Sequence, residues 1–432
     1  MALPFAERRQ RSWLALVDLV RFAGAHVPYY RDLFARIGFD PEKLIRDQRY
    51  LQDIPYLTKE VIQHEHERLL RDDHASLRKH VSKTGGSTGI SAQIVYDQDA
   101  ADWSSAVTRY ARSTIADGGT ADSTARSELH FATRFPDAFP LVDRLREHVK
   151  CFAMNRTNIF FSSLDPDELE AMWHRISLIR PYLVHAHPTT IFHLALFAEE
   201  RGHRERLFEV FESSGELLEP KQRDTIARAF RCRVIDRYGL AEAGIVAYQT
   251  DGADPTLLVF DPFCWPEVAE IEDDDKLTQV LNPADGAIAG ELVITPLRNR
   301  MMPLIRYRTG DLTTLGETAR GFVIHQMIGR THDVVEFAGR RMPTHCIQDI
   351  LDRVGGIRRF QVEVTRGRPI LRIVPEPNGD TEMIRNRLTN WWGDGVELQF
   401  IGLSELKLQG SRSKFRHLVA ASNATPVAAP MD

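Results

Sequence analysis

The sequence predicts an α/β protein in two parts: a large N-terminal α/β domain with several sheets over 1–329, and a small α+β C-terminal domain over 330–420. Three observations predict it. At 432 residues the chain exceeds what one hydrophobic core supports, so it must divide. From 80 to 330, short β-rich runs alternate with amphipathic helical patterns, the arrangement of an α/β domain with covered sheets. After Gly329-Arg330 the pattern changes to helix, two strands, helix and strand, a compact α+β unit.

The elements follow in order. Residues 5–36 read as helical, with Trp13, Leu16, Val17 and Val20 spaced as one buried stripe. The stretch through Tyr56-Leu57-Thr58-Lys59 is a loop entering another helix, Thr58 being the N-cap. Strands are expected at 93–96, 129–132, 157–161, 233–236 and 291–294. Over 165–180, Leu169, Met172, Trp173 and Ile176 again repeat at helical spacing. In the small domain the pattern predicts a helix at 344–354, strands near 360–364 and 370–374, a helix at 381–392 and a strand near 396–400. Residues 421–432 have no periodicity and read as a flexible tail.

Composition excludes several classes. The net charge of -5 and pI near 6.4 argue against a dedicated nucleic-acid binder. No run approaches the roughly 20 apolar residues of a membrane span, and the charged N-terminus lacks the apolar core of a signal peptide. A cytoplasmic protein with no membrane partner is expected. The four cysteines at 151, 232, 264 and 346 form no C-x-x-C pair, so reduced and mostly buried thiols are expected. The sixteen histidines form neither H-x-x-x-H nor H-E-x-x-H, so no metal held by protein ligands alone is expected.

The first chemical cue is the loop Ser82-Lys83-Thr84-Gly85-Gly86-Ser87-Thr88-Gly89 between two strand candidates. Its glycines and hydroxyls can wrap phosphate oxygens; a glycine-rich hairpin turn is the plainer alternative. No Lys-Ser or Lys-Thr follows the last glycine, so it is not a kinase-type P-loop. Four more segments follow: Asp236-Arg237-Tyr238-Gly239-Leu240-Ala241-Glu242, Tyr307-Arg308-Thr309-Gly310-Asp311-Leu312, Gly329-Arg330-Thr331-His332-Asp333, and Gly410-Ser411-Arg412-Ser413-Lys414.

In this order and spacing the five segments resemble the adenylate-forming (acyl/aryl-CoA synthetase) superfamily. His26-Val27-Pro28-Tyr29-Tyr30 and Ile54-Pro55-Tyr56-Leu57-Thr58-Lys59 look most like its phenylacetate–CoA ligase branch. The resemblance implies an AMP-forming acid–thiol ligase that uses ATP and Mg²⁺. It would join a small carboxylic acid, an aryl acid for preference, to coenzyme A. Lys414, Glu242 and Arg330 would be the catalytic set, with Glu242 and Thr88 holding Mg²⁺ alongside ATP. Thr84, Gly85, Gly86, Ser87, Thr88 and Gly89 would hold phosphates, and Asp311 the ribose diol. Ser214, Gly215, Glu216 and Tyr238 would surround the adenine, with Asp236 and Gly239 completing the ATP site. The resemblance makes the small domain mobile, rotating about His332, with Gly339 beside the thiol tunnel.

The chain also departs from that pattern. His332 replaces the usual Asp or Lys, and Ser413 stands where glycine precedes the lysine. Thr133-Arg134-Phe135-Pro136-Asp137-Ala138-Phe139-Pro140 replaces a glycine-rich stretch, so phenylacetate itself is not implied. Val246-Ala247-Tyr248-Gln249 has no cysteine, so the zinc site of some branch members is not expected. His185, His187 and His193, near the expected acyl pocket, read first as satisfied structural groups. Two alternatives stay open. One is adenylation with transfer to an acyl carrier protein's phosphopantetheine, or to an amine. The other is a non-catalytic nucleotide-binding paralogue. Family members are often dimers, and the sequence carries no test of a homodimer.

Overall fold

The computed structural model describes residues 1, 3–83, 92–116, 125–133, 141–161, 164–250, 254–269, 287–328, 334–338, 340–343, 347, 350–351, 353–364, 368–376, 378–402, 405–409, 414–415, 418–420 and 424–426. The N-terminal helical stretch is two helices, α1 (Phe5–His26) and α2 (Pro28–Ile37). The break falls where Pro28 removes a backbone donor, and the ring suits the first position of a new helix. The predicted stripe of α1 is buried: Trp13 meets Trp265 edge-on at 5.3 Å, and Arg8 forms a buried pair with Asp261, Nε to Oδ1 3.0 Å. Thr58 caps α3 (Lys59–His64), its side chain accepting from the Val61 N–H; the short α4 (His66–Leu69) follows.

The hairpin β1 (His80–Lys83) and β2 (Gln93–Tyr96) is antiparallel, and α5 (Gln98–Thr114) follows it. Then come β3 (Glu128–Thr133), α6 (Leu141–Ala153), β4 (Arg156–Phe161), α7 (Pro166–Ile179), β5 (Leu183–Ala186), α8 (Pro188–Glu200), β6 (Val210–Ser213), α9 (Pro220–Phe230) and β7 (Arg233–Ile235). These strands form one all-parallel sheet in the order β4-β3-β5-β6-β7. A parallel pair cannot be closed by a tight turn, which is why a helix separates each strand from the next.

A second, antiparallel sheet has the order β11-β12-β13-β14-β10-β9-β8. Its strands are β8 (Arg237–Leu240), β9 (Gly244–Tyr248), β10 (Leu257–Val259), β11 (Cys264–Ala269), β12 (Ile288–Pro296), β13 (Tyr307–Thr318) and β14 (Gly321–Ile328). One core joins α1, α2, α5 and this sheet. The other joins the parallel sheet, α7, α8, α9 and apolar residues of the C-terminal part.

That C-terminal part holds the hairpin β15 (Val334–Phe337) and β16 (Arg340–Pro343), then β17 (Ile357–Val364), β18 (Ile370–Pro375), α10 (Thr381–Trp392) and β19 (Glu397–Phe400). After them come β20 (Lys407–Gln409), β21 (Lys414–Phe415), β22 (Leu418–Ala420) and β23 (Ala424–Pro426). Strands β19-β18-β17-β22 form one sheet and β21-β20-β23 another. The expected flexible tail, 421–432, is corrected in part: Ala424–Pro426 pairs antiparallel with Lys407–Gln409. Backbone pairing needs no side-chain periodicity, so a pattern search cannot see it. Cys232 and Cys264 are buried and Cys151 half-buried, and burial pushes the Cys232 thiol up to about 12. Among the described residues no helix is long and apolar enough to cross a membrane.

Candidate active site

In an open parallel sheet, ligands gather beyond the carboxyl ends of the strands. Those ends here carry His187 after β5, Ser214 after β6 and Asp236 after β7, and the chain then crosses into β8 of the second sheet. Asp236 is half-buried; desolvation raises its pKa, and donation from the Ser213 hydroxyl and the Arg237 N–H (2.8 Å) to Oδ1 opposes that rise. Gln249 holds the same residue from behind, accepting from the Asp236 N–H at 2.9 Å.

Tyr238 donates its hydroxyl to Asp311 Oδ2 at 2.8 Å, across 73 residues of sequence. Burial first, then the Asp311 charge, push the phenol well above its ordinary range, so it remains a neutral donor. The turn after β8 holds Glu242, only 6% exposed, whose Oε1 accepts from the Tyr307 hydroxyl at 2.7 Å. Glu242 therefore sits in a tight turn between strands, not at the start of a helix. Gly244 closes that turn at φ 71°; a Cβ there would also meet Ser104 Oγ at 2.5 Å, so both backbone and space demand glycine.

Tyr307 is placed by the Ile54–Lys59 segment. Leu57 pairs with it through Leu57 N–H to Arg306 O (3.0 Å) and Arg308 N–H to Leu57 O (2.9 Å). The Tyr96 hydroxyl donates to Ala241 O, tying the β1–β2 hairpin to the same turn. A cavity of ≈ 330 Å³ opens here, with Ser82, Tyr96, Ser104, Glu242, Gly244 and Asn299 among its lining.

Gly215 has φ 77°, and a Cβ on it would lie 2.3 Å from His187 Cε1. Glu216, by contrast, is turned inward: its Oε2 accepts from Thr189 N–H at 3.1 Å, in the first turn of α8, where a carboxylate complements the helix dipole. Thus Asp236, Tyr238, Gly239, Glu242 and Asp311 converge, with Ser214 and Gly215 at the adjacent strand end. The Glu216 side chain is held by the first turn of α8. Thr84, Gly85, Gly86, Ser87, Thr88, Gly89, Arg330, His332 and Gly339 lie outside the described residues. The backbone of Lys414, in β21, pairs with that of Gln409 in β20, and the Lys414 side chain lies outside what is described.

Sequence reasoning missed a buried ionic cluster one residue below this site. Glu212, fully buried, accepts from Arg112 Nε (3.1 Å) and Nη2 (2.7 Å), Arg237 Nη1 (3.3 Å) and the Tyr248 hydroxyl (2.8 Å). Arg112 Nη1 also donates to Glu128 at 2.6 Å. Burial alone would raise the Glu212 carboxyl, but Arg112, His185 and Arg237 together hold it well below its usual range. The sequence holds only a weak signal, Glu212 directly after the apolar pair Val210-Phe211, and it does not distinguish a buried charge from a solvated one.

His185 and His130 adjoin the cluster, while His193 stands edge-on to Phe192 in α8. Burial is the main reason both cluster imidazoles fall below their ordinary range, His185 the further, despite neighbouring carboxylates that oppose it. Both rings are thus neutral in the fold, whereas the unfolded chain protonates them below about pH 6.5. Stability is fully present above that pH and is lost as pH falls towards the folded pKa values, by at most about 1.4 kcal/mol per pH unit for each ring. Urea denaturation between pH 8 and 5 should show the midpoint dropping below about pH 6.5; a midpoint that rises on acidification would contradict the assignment.

The fold matches that of a solved CoA ligase. The solved structure of 2-hydroxyisobutyryl-CoA ligase with 2-HIB-AMP and CoA matches with a TM-score of 0.60 at 18% identity, over 97% of this chain and 90% of that one. An open conformation of the same ligase matches with a TM-score of 0.57, over 96% and 92%. In sequence the chain is 31% identical over 150 residues to phenylacetate-coenzyme A ligase of Escherichia coli (strain K12). That match spans about a third of each, 33% of this chain and 32% of the relative. No family model matches. The fold and this sequence match bear out the resemblance that the five motifs carried.

Proposed function

We propose that the chain is an AMP-forming ligase that activates a carboxylic acid with ATP and transfers the acyl group to coenzyme A. The observation that carries this reading is the pairing of Tyr238 with Asp311 and of Tyr307 with Glu242, which brings β8 and its following turn against β13. The similar fold of a ligase solved with an acyl-adenylate and CoA supports it.

In the first step a carboxylate oxygen bonds to the α-phosphorus of ATP, and the bond to the β-phosphate oxygen breaks, releasing pyrophosphate. Anion approaches anion, so fixed donors and cations must offset the repulsion. Lys414 supplies a mobile cation for both reacting oxygens. Asp311 accepts from the ribose diol, oriented by Tyr238, and Asp236 offers a carboxylate to the base. In the second step the thiol sulfur bonds to the acyl carbon, AMP leaves, and the thiol proton passes to solvent.

Magnesium fits the donors present. It binds through one or two carboxylates plus substrate phosphates and keeps several waters. Glu242 supplies one buried carboxylate, and among the described residues no group of three metal-ligating side chains gathers. Glu242 would hold the ion with Thr88, and the ion would screen phosphate charge. A cytoplasmic enzyme rotating its small domain (330–420) about His332 completes the reading, with Arg330 acting catalytically and Gly339 beside the thiol.

The test is acid-dependent ATP–pyrophosphate exchange over pooled aryl, hydroxy and fatty acids. Exchange with one pool, reduced by about 10³-fold or more in Lys414→Ala, is the expected result; such a loss corresponds to about 4 kcal/mol of transition-state stabilisation. Release of ADP in place of AMP would reject the reading.

A further inference from the structure

We infer that His185 and His130 form a pair of hydrogen-bond acceptors that selects a carboxylic acid bearing a hydroxyl or N–H donor away from its carboxylate. The inference rests on the adenylation reading for the placement of that acid, and on the buried cluster for its chemistry.

His130, His185 and Glu212 are neighbours on three adjacent strands, paired His130 to His185 and His185 to Glu212. The row lies close to the carboxyl edge. Ser213, next after Glu212, bonds Asp236, and Arg237, which reaches Glu212, immediately precedes Tyr238. A substrate joined to the α-phosphate of a nucleotide held by Asp236, Tyr238 and Asp311 would therefore extend towards this row.

Neither carboxylate is available to a ligand. Glu212 receives two donors from Arg112, one from Arg237 and one from Tyr248, and His185 Nδ1 lies 2.7 Å from its Oε2. Glu128 takes Arg112 Nη1 at 2.6 Å and His130 Nε2 at 3.2 Å. His130 Nε2 is hydrogen-bonded to Glu128, and a carboxylate oxygen 2.7 Å from His185 Nδ1 disfavours a lone pair there although the contact is poorly aligned for a hydrogen bond, so each ring carries its proton on the nitrogen that faces the carboxylate. That leaves His185 Nε2 and His130 Nδ1 as lone-pair acceptors, without a partner among the described residues. The two rings stand 4.7 Å apart, and their side chains keep 17% and 19% of their surface accessible.

Charge narrows the ligand further. Arg112 and Arg237 are matched by Glu128 and Glu212, so the cluster has no surplus cation for a second carboxylate or a phosphate. Two neutral acceptors beside a closed ionic network fit a neutral donor. An apolar acid would leave both acceptors desolvated and unpaired, and a site built that way rejects the analogue lacking the donor by 10⁴–10⁵-fold, against only 10–200-fold in an apolar pocket.

The experiment compares isosteric acids that differ in a hydroxyl or a methyl: para-hydroxybenzoate with para-toluate, and hydroxyisobutyrate with pivalate. Exchange kinetics give kcat/KM for each, and calorimetry gives direct binding in the presence of a non-hydrolysable ATP analogue. The expected result is a preference for the hydroxylated member of at least one pair by about 10³-fold or more. His185→Leu should collapse that ratio to about tenfold. His185→Gln, whose amide can face Glu212 while its carbonyl faces the ligand, should restore much of it, and thermal melting verifies that both variants fold. Exchange that favours the methyl acids, or a ratio unmoved in His185→Leu, overturns the inference and leaves adenylation standing. Binding of a hydroxylated acid that depends on His185, with no exchange, upholds the acceptor pair and rejects adenylation. No exchange and no binding with either hydroxylated acid rejects both.

Discussion

Replacing Glu242 by Gln is expected to lower acid-dependent ATP–pyrophosphate exchange by about 10³-fold while leaving the fold intact. The substitution keeps the side chain's volume, and its amide oxygen can still accept the Tyr307 hydroxyl that now sits 2.7 Å from Oε1. What it removes is a negative charge at a buried position. A metal's stabilisation of transition-state charge is worth several kcal/mol, and each 1.36 kcal/mol is tenfold in rate, so about 4 kcal/mol is at stake. Tyr307→Phe separates charge from orientation: it keeps the carboxylate and deletes one hydrogen bond to it. A hydrogen bond to a charged group contributes about 1.5–3 kcal/mol, so a loss of roughly 10- to 100-fold is expected. Equal losses in the two variants, or exchange within threefold of wild type in Glu242→Gln, would show that the carboxylate's charge is not used. Thermal melting of both variants guards against trivial unfolding.

The largest effect on stability is expected from Arg112→Met. The guanidinium is 6% exposed and serves two carboxylates at once, Glu212 and Glu128. Methionine fills much of the same space without a donor, stranding two buried negative charges. Breaking a buried ion pair from one side costs about 3–5 kcal/mol. Loss of that size in urea denaturation is the prediction, against a value under about 1 kcal/mol if the pair were solvated like a surface bridge. Adding Glu212→Gln to Arg112→Met removes one stranded charge and should recover part of the loss. A double variant less stable than the single one would mean that Glu212 is held by Arg237, Tyr248 and His185 without need of Arg112.

How far the sequence reaches can be judged from particular residues. The strand-helix alternation over 128–235, the buried stripes of α1 and α7, and the N-cap Thr58 depend on neighbours within a few positions, and local chemistry suffices to read them; the alternation expected to run on to 330 gives way after β7 to antiparallel strands β8–β14, with no helix among the described residues there. The same holds for the motif ends: a carboxylate such as Glu242 or Asp311 after a glycine-bearing turn can be picked out by type and spacing alone. A break such as that at Pro28 is equally local, although a long apolar stripe concealed it.

Only the tertiary structure decided which of those groups meet. Tyr238 and Asp311 are 73 residues apart and Tyr307 and Glu242 65, and each pair meets although β14, β10 and β9 stand between β13 and β8 in the sheet order. The Glu216 side chain accepts from the Thr189 N–H in the first turn of α8, a partner 27 residues away that its motif does not reveal. The strand Ala424–Pro426 has no pattern of its own and is defined by its partner. Arg112 and Glu212 lie 100 residues apart, and a charge that ends in a core cannot be told from a solvated one until its counterion is placed. Periodicity reports which face of an element is buried, because that depends on spacing within the element. Contacts between elements depend on register and crossover, and these are settled by the packing of the whole chain.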